Sequence, residues 1–337
     1  MRTNTLWKRR KTLESKISSD HSCGKQPRYH LPVMREEAVG HWMTDRGGIY
    51  VDATLGGGGH AEALLDRLTE QGRLIGMDRD EEALAAAAEC LRRFGDRVVL
   101  KRGPFSEMGT MLKEMKIEEV SGVLFDLGVS SHQIDRAGRG FSYRQDGPLD
   151  MRMGQTERTR TAADVVNGYS EQALLDLFRG YGEERWSRRI ARRICTLRNK
   201  SPFERTSELR EAIVSVVPGR APQKTLARIF QALRIEVNDE IGELERGLEA
   251  AISLLKPGGR LAVLSYHSLE DRTVKAIFRK HIRGCQCPPK LPVCVCGGRR
   301  ILKTVCRELP SAEDVARNER ARSARLRVVE KTMSNEQ

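Results

Sequence analysis

The chain has 337 residues, enough for one large domain with an insertion, or for two domains, and for a substantial core. Apolar residues make up 39% and charged residues 31%, a globular balance, and no apolar run approaches the roughly 20 residues that span a bilayer. Lys and Arg number 59 against 46 Asp and Glu, and this net charge of +13 suits a long polyanion better than a small anionic metabolite.

The first 28 residues form the first segment of the chain. Residues 1–28 are polar and basic and lack hydrophobic periodicity, which predicts a flexible basic extension. The basic stretch 7–11 has no apolar segment behind it. We therefore expect no secretory signal and a cytoplasmic location.

From about Tyr29 short apolar runs alternate with amphipathic segments. This alternation predicts a parallel sheet with right-handed helical crossovers. The predicted strands are 49–53, 73–78, 97–101 and 122–126, and the predicted helices are 60–70, 80–93 and 106–115.

The pattern changes after Ser131. Residues 136–155 are rich in Gly, Arg and Asp and predict a structured loop, whereas 161–235 show only helical periodicity. The α/β pattern then resumes, with a helix at 239–255, a Pro-Gly turn, a strand at 260–265, a helix at 269–282, and apolar runs at 301–305 and 324–329 that predict a closing hairpin. We therefore predict a sheet domain of 29–135 and 236–331, an inserted helical substrate-binding subdomain of 136–235, and a tail of 332–337.

Two segments concentrate the basic charge. Residues 179–200 contain eight Lys or Arg against two acids, and residues 299–327 contain nine against four. A general solubility charge is the alternative explanation, but two separate clusters favour nucleic acid.

A glycine-rich turn joins the first predicted strand to its helix. Gly56 to Gly59 follow the strand, and Asp78 closes the next strand. Strand, glycine turn, helix, strand and acid is the first half of a nucleotide-binding βαβ unit, in which the acid accepts the ribose hydroxyls. The turn also fits G-x-G-x-x-A through Gly58 and Ala61, so a nicotinamide dinucleotide stays open at this point.

Three features favour S-adenosyl-L-methionine over the dinucleotide. A Pro-Gly turn at 256–259 precedes the fifth strand, the terminal hairpin supplies a reversed last strand, and 126–131 (DLGVSS) follows the fourth strand. Amino-group methyltransferases keep a polar catalytic loop at that last position. Asp126 is therefore the candidate catalytic residue, as acceptor for an attacking amine, or a ligand of the cofactor's methionyl end, or only a helix cap.

Together these segments closely resemble the MraW-type family of 16S rRNA cytosine-N4 methyltransferases. Matching motifs run in order from about His30 to Lys331, among them 52–60 (DATLGGGGH), 103–106 (GPFS), 126–131, 146–153 (DGPLDMRM), 230–234 (FQALR) and 265–272 (SYHSLEDR). The resemblance implies a class I, Rossmann-like methyltransferase fold with an inserted α-helical subdomain. It also implies S-adenosyl-L-methionine as cofactor, and methylation of the N4 amine of a cytidine in the decoding region of 16S rRNA.

The family's cofactor contacts transfer onto matching positions of this sequence. They are Gly58, Gly59, His60, Asp78, Phe105, Asp126 and Gln133. The glycine and histidine backbone would approach the methionine moiety, Asp78 would hold the ribose and Phe105 would pack on the adenine. The alternatives are that His60 only caps the first helix and that Gln133 is only a polar surface residue.

Two features depart from the family pattern. The family motif N-P-R-A-R-S reads Asn318-Glu319-Arg320 here, and four cysteines form the pairs Cys285-x-Cys287 and Cys294-x-Cys296. Four thiols can bind zinc, although C-x-C is not the usual spacing, so a metal site and reduced loop thiols both stay open.

Three other functions remain as alternatives. They are a DNA-base methyltransferase, an RNA-binding assembly factor with vestigial cofactor binding, and a nicotinamide oxidoreductase. The cytosine-N4 DNA enzymes carry a Ser-Pro-Pro-Tyr-like loop that is absent from this sequence. The expected partner is 16S rRNA within the small ribosomal subunit, and no membrane partner is expected. The sequence does not decide between naked rRNA and the assembled subunit as substrate, and a homodimer stays open.

Overall fold

The computed structural model describes residues 32–154, 159–219, 222–285, 287, 296 and 298–333. The predicted extension 1–28 lies outside these residues. The strands are β1 Ile49–Asp52, β2 Arg73–Asp78, β3 Val98–Arg102, β4 Val120–Asp126, β5 Leu255–Ser265, β6 Leu302–Glu308 and β7 Arg325–Lys331. The helices are α1 Arg35–Trp42, α2 Gly59–Leu65, α3 Glu81–Leu91, α4 Met108–Glu114, α5 Ser131–Asp135, α6 Ala162–Gly168, α7 Glu171–Gly180, α8 Ser187–Arg198, α9 Thr206–Val214, α10 Gln223–Asn238, α11 Glu240–Leu254, α12 Ser268–Arg283 and α13 Ala312–Arg317.

The seven strands form one sheet in the order β3-β2-β1-β4-β5-β7-β6. Strands β1 to β5 pair in parallel, whereas β7 runs antiparallel to both β5 and β6. The reversed strand inserted beside β5 is the feature expected of a class I methyltransferase sheet and not of a dinucleotide-binding one. The predicted fold class and terminal hairpin are therefore confirmed.

Helices cover both faces of the sheet. On one face α1, α2 and α3 pack on alternate strand residues such as Tyr50 and Leu74. On the other face α4, α11 and α12 pack on Val51, Ile75 and Val123. Strand β4 is buried along nearly its whole length, as expected for a parallel strand with both faces covered.

The helices between β4 and β5 have a hydrophobic core of their own. Apolar residues of α6 to α10 form one cluster around Phe178, Ile190 and Phe230. The predicted helical character of 161–235 is therefore confirmed. Helix α10 continues through Asn238, three residues beyond the predicted boundary, and Asp239, in a left-handed conformation (φ 48°), joins it to α11. The domain boundaries themselves remain a prediction.

One predicted strand begins earlier than its apolar run. Leu255 already pairs with Val120, so β5 includes the Pro-Gly segment that was predicted as a turn. A register shift between Val120 and Gly122 accommodates that segment. None of the helices in the described part of the chain combines the length and apolar character needed to span a bilayer.

Candidate active site

A cavity of about 350 Å³ opens at the carboxyl ends of the parallel strands. Its walls come from the loops after β1, β2 and β4, from α10 and α11, and from the start of α12. This is the edge where open α/β sheets bind ligands, and the volume falls in the range of small-molecule sites. Of the seven predicted site residues, six line the cavity: Gly59, His60, Asp78, Phe105, Asp126 and Gln133.

The glycine turn brings backbone to the cavity wall. Gly56 has a φ of 51° and Gly58 a φ of 84°, conformations that side chains disfavour. Gly58, the seventh predicted residue, is not part of the wall, because its Cα faces Ala87 and Leu91 of α3. Gly58 instead forms the turn that places its chain neighbours Gly57 and Gly59 at the cavity wall.

Asp78 is placed as predicted, at the tip of β2. Its Oδ2 accepts a hydrogen bond from the Gly56 N–H at 2.9 Å, and its Oδ1 accepts one from the Asp80 N–H at 2.9 Å. Burial raises the pKa of Asp78 to about 6, although these backbone hydrogen bonds act in the opposite direction. A carboxylate offers about four acceptor positions, so Asp78 can still accept from a ligand's hydroxyl.

Phe105 forms an aromatic wall. Its ring packs edge-to-face on Phe125 with the centroids 5.2 Å apart. A Cβ at Gly247 in α11 would lie 2.5 Å from Phe105 Cδ2, so only glycine lets the ring lie this close to the helix. The position is suited to stacking on a planar base.

Asp126 lies at the tip of β4, where two hydrogen bonds fix its position and His60 lies nearby. The Tyr266 hydroxyl donates to its Oδ1 at 2.6 Å, its backbone N–H donates to Thr54 Oγ1 at 2.5 Å, and its Oδ2 lies 3.6 Å from His60 Nδ1. Burial, and next the Asp126 charge, raise the pKa of Tyr266 well above its ordinary value, so the phenol stays protonated as a donor. Ser130 caps α5, so Asp126 is not a helix cap.

His60 is buried and does not cap α2. Its Nε2 lies 3.0 Å from the carbonyl oxygen of Val33. A carbonyl can only accept, so Nε2 carries a proton, and in the neutral ring Nδ1 has no proton to donate to Asp126 Oδ2, 3.6 Å away. The N-cap position of α2 is Gly58, which has no side chain to cap with.

Gln133 is buried, so the surface alternative is wrong. Its Nε2 donates to Asp80 Oδ2 at 2.8 Å, and its Oε1 accepts from the Ser130 N–H at 3.0 Å. Arg139 donates to the same Asp80 oxygen at 2.8 Å. Gln133 thus ties α5 to the N-terminus of α3 and fixes the wall beside the cavity.

Two further residues of the cavity were not singled out from the sequence. Tyr266 lay inside a quoted motif, but no spacing rule placed its hydroxyl on Asp126 from 140 positions away. Glu243 of α11 lines the cavity, and its Oε2 is buried and accepts no hydrogen bond from any described residue. A buried carboxylate oxygen without a donor is costly, and a ligand amine would satisfy it.

These groups fit an adenosine-containing cofactor. Phe105 offers a stacking surface, Asp78 offers acceptors for ribose hydroxyls and Glu243 offers an acceptor for an exocyclic amine. The glycine turn and Asp126 line the same cavity, where the methionyl end would extend.

Asp52 is the most strongly perturbed carboxyl nearby. It is 2% exposed and lies at the end of β1, next to Ala53 and Thr54 of the cavity wall. Burial raises its pKa to about 8, and the charges of Asp126 and Asp78 add to this effect. The Thr54 N–H donates to it at 3.2 Å.

The first basic segment presents charge on α8. Arg188, Arg189 and Arg192 are exposed, whereas Arg193 is half-buried and bonds Ser215 Oγ at 3.1 Å. Arg198 is held inward by the Val166 carbonyl at 2.8 Å. Helix α8 therefore carries three exposed arginines, of which Arg189 stacks on Trp186 at 4.9 Å and Arg192 lies 3.6 Å from Glu171.

The second basic segment is partly used within the fold. Arg327 pairs with Asp271 at 2.7 Å, whereas Arg317 and Arg322 are exposed. Asn318, next to Arg317, lines the cavity. Asn318 thus brings this segment to the cavity wall, next to Glu319, where the sequence departs from the family motif.

Comparison with known sequences gives a consistent result. A sequence model of the MraW methylase family matches residues 28–332. Three proteins named ribosomal RNA small subunit methyltransferase H, from Geobacter sulfurreducens, Pelobacter propionicus and Carboxydothermus hydrogenoformans, are 51%, 50% and 48% identical. Each alignment covers 90% of this chain and 97% or 98% of the relative.

Similarity to solved structures is more distant. The crystal structure of an rRNA methylase from Streptococcus thermophilus has a TM-score of 0.39 and 13% identity, over 89% of this chain and 94% of that one. This similarity is too distant to add to the family assignment.

Proposed function

The chain belongs to the MraW methylase family, as its motifs predicted, and from this premise we propose that it methylates the N4 amine of a cytidine in 16S rRNA. Its cofactor is S-adenosyl-L-methionine, also as predicted. We place the target cytidine in the decoding region of the small subunit. The names of the relatives support rRNA as the substrate class.

The position of the Asp126 carboxylate is the observation that supports an amine as the nucleophile. The Asp126 carboxylate faces the cavity with its position fixed by Tyr266 and Thr54. An exocyclic base amine is delocalised and a poor nucleophile, so it needs an oriented acceptor for its N–H. Asp126 is therefore the proposed catalytic residue.

Bound S-adenosyl-L-methionine supplies a methyl group activated by a cationic sulfur. The protein's part is then orientation and proton handling. Asp126 accepts a hydrogen bond from N4, which turns the nitrogen lone pair toward the methyl carbon. The N4–methyl bond would form as the sulfur–methyl bond breaks and S-adenosyl-L-homocysteine leaves as a neutral thioether, while Asp126 would take the N4 proton and the Tyr266 hydroxyl would keep the carboxylate in place.

The substrate base has to enter the cavity to reach this carboxylate. The Asp126 side chain is only 16% exposed, so a stacked base cannot meet it. The base is therefore unstacked and inserted, as in other enzymes that act on bases. The exposed arginines of α8 and the charge beside Asn318 suit contacts to the flanking phosphates.

Mass spectrometry of 16S rRNA nucleosides tests the substrate. Rescue of a strain lacking the protein with the wild-type gene restores N4-methylated cytidine, and rescue with Asp126→Asn does not. Calorimetry on the purified Asp126→Asn protein is expected to show retained cofactor binding. If its cofactor affinity falls in parallel with activity, Asp126 binds the methionyl end and the amine role is wrong.

A further inference from the structure

Three cysteines that the active site does not use converge at the far end of α12. The Sγ atoms of Cys285, Cys287 and Cys296 all lie within 4.8 Å of one another. From this arrangement we propose that they are ligands of a structural zinc ion. This site is independent of the proposed methyl transfer.

The spacing of the sulfur atoms matches zinc and not a disulfide. The Sγ atoms of Cys285 and Cys296 are 3.8 Å apart. With Zn–S bonds of about 2.3 Å, two thiolates of a tetrahedral site stand about 3.8 Å from each other. A disulfide would bring the sulfurs to about 2.05 Å.

The fold explains how Cys285 and Cys287 meet Cys296. Helix α12 ends before Gly284, whose φ of 68° turns the chain back. A Cβ at Gly298 would lie 2.0 Å from the Gly284 carbonyl oxygen, so the outgoing and returning chains touch at two glycines. The Ile301 N–H donates to the His281 carbonyl at 3.1 Å and holds the two chain segments together. We call this close crossing at Gly284 and Gly298 the glycine neck. The cysteines lie next to the neck, where a metal would clamp the crossover between α12 and β6.

The site is placed for structure and not for catalysis. Helix α12 has 16 residues and is therefore about 24 Å long. Its first turn lines the active-site cavity through His267 and Glu270, and the thiols lie past its last turn. Converging thiolate ligands favour zinc among the common divalent ions, and a four-coordinate site would take one ligand besides these three. Cys294, the other cysteine of the pattern, lies outside the described residues and is not part of the three-thiol assignment.

Metal content tests the proposal directly. The full-length protein is purified under reducing conditions without chelator, together with a Cys285→Ser/Cys296→Ser variant. The matched control is Cys90→Ser/Cys195→Ser, which removes two partly buried thiols elsewhere. We expect about one zinc per chain in wild type and control, and its loss in the first variant. Less than about a tenth of an equivalent in reduced wild type, or iron in place of zinc, overturns the proposal.

A second measurement tests the site even if the Cys285→Ser/Cys296→Ser variant does not fold. Wild-type protein reloaded with Co²⁺ should show a thiolate-to-cobalt charge-transfer absorption, and Cys287→Ser alone should weaken it. A strong chelator should lower the thermal midpoint of wild type and of the control. An absent charge-transfer band, or a midpoint that the chelator does not change, contradicts the site whatever the result of the methylation assay.

Discussion

Replacing Asp78 by asparagine should weaken cofactor binding, through the lost charge and because the amide nitrogen would face the N–H of Gly56 or of Asp80. The carboxylate already accepts two backbone N–H bonds, each 2.9 Å long, and its other acceptor positions are left for the ribose. Asparagine keeps one acceptor oxygen but replaces the other with a donor and removes the charge. Loss of a charge-assisted hydrogen bond costs about 1.5–3 kcal/mol, so we expect Kd to rise roughly ten- to 150-fold.

The same carboxyl predicts a pH dependence. Burial raises the pKa of Asp78 to about 6, and only the ionised form offers all its acceptors to the ribose. The bound cofactor therefore favours ionisation, and wild-type affinity should fall as the pH drops through about 6. The asparagine variant lacks this group, so its affinity should change less over the same range.

Isothermal titration calorimetry between about pH 5 and pH 7 measures both effects. Asp66→Asn is the matched control, since Asp66 lies in the same βαβ unit but is half exposed and pairs with Arg93. An unchanged Kd in Asp78→Asn removes Asp78 from the site. An equal loss in Asp66→Asn would show that any charge change in this unit weakens binding and would refute the ribose contact.

Three other changes test separate parts of the site. Tyr266→Phe should lower kcat roughly ten- to 150-fold, the size of one hydrogen bond to a charged acceptor, and leave cofactor Kd unchanged. Replacing Arg188, Arg189 and Arg192 by glutamine should flatten the salt dependence of RNA binding by about 0.7–0.9 in log–log slope per lost phosphate contact. Asp52→Asn should gain stability relative to wild type as the pH rises from about 4 to 8, because the unfolded carboxyl ionises near 3.8 and the folded one near 8.

A specific result would contradict each of these three predictions. A Tyr266→Phe variant that changes KM or cofactor Kd but not kcat would mean that the hydroxyl does not position the carboxylate. Arg92→Gln is the charge control for the α8 substitutions. Arg92 is exposed and directly follows α3, in the sheet domain, so its replacement should leave the salt dependence of RNA binding unchanged. A constant difference in chemical unfolding free energy between Asp52→Asn and wild type across this pH range would place the titrating group elsewhere.

The sheet was predictable because its signals are local. Apolar runs closed by glycine or acid marked β1, β2 and β4, and parallel strands bring their carboxyl ends to one edge. Asp78 and Asp126 therefore had to lie near each other once the strands were recognised. Helix α1 was missed because its eight residues bear little amphipathic pattern, and it is held by the packing of Trp42 on Tyr50.

The parts that were not predictable depend on tertiary contacts. Nothing in the spacing of Tyr266 or Glu243 shows that one reaches Asp126 and the other lacks a hydrogen-bond donor. Because the C-x-C spacing is unusual for zinc, the sequence did not decide between a metal site and reduced thiols in a loop. Only the glycine neck after α12 brings Cys285 and Cys296 within contact distance.

Methyl transfer by the purified protein to 16S rRNA tests the proposed reaction most directly. Naked 16S rRNA and isolated small subunits from a strain lacking the protein are incubated with isotopically labelled S-adenosyl-L-methionine, and the nucleosides are identified by mass spectrometry. We expect label in N4-methylcytidine with the wild-type protein, and none with Asp126→Asn protein that still binds the cofactor. Label on another atom or base, or label in N4-methylcytidine at the wild-type rate with Asp126→Asn, would contradict the proposed chemistry.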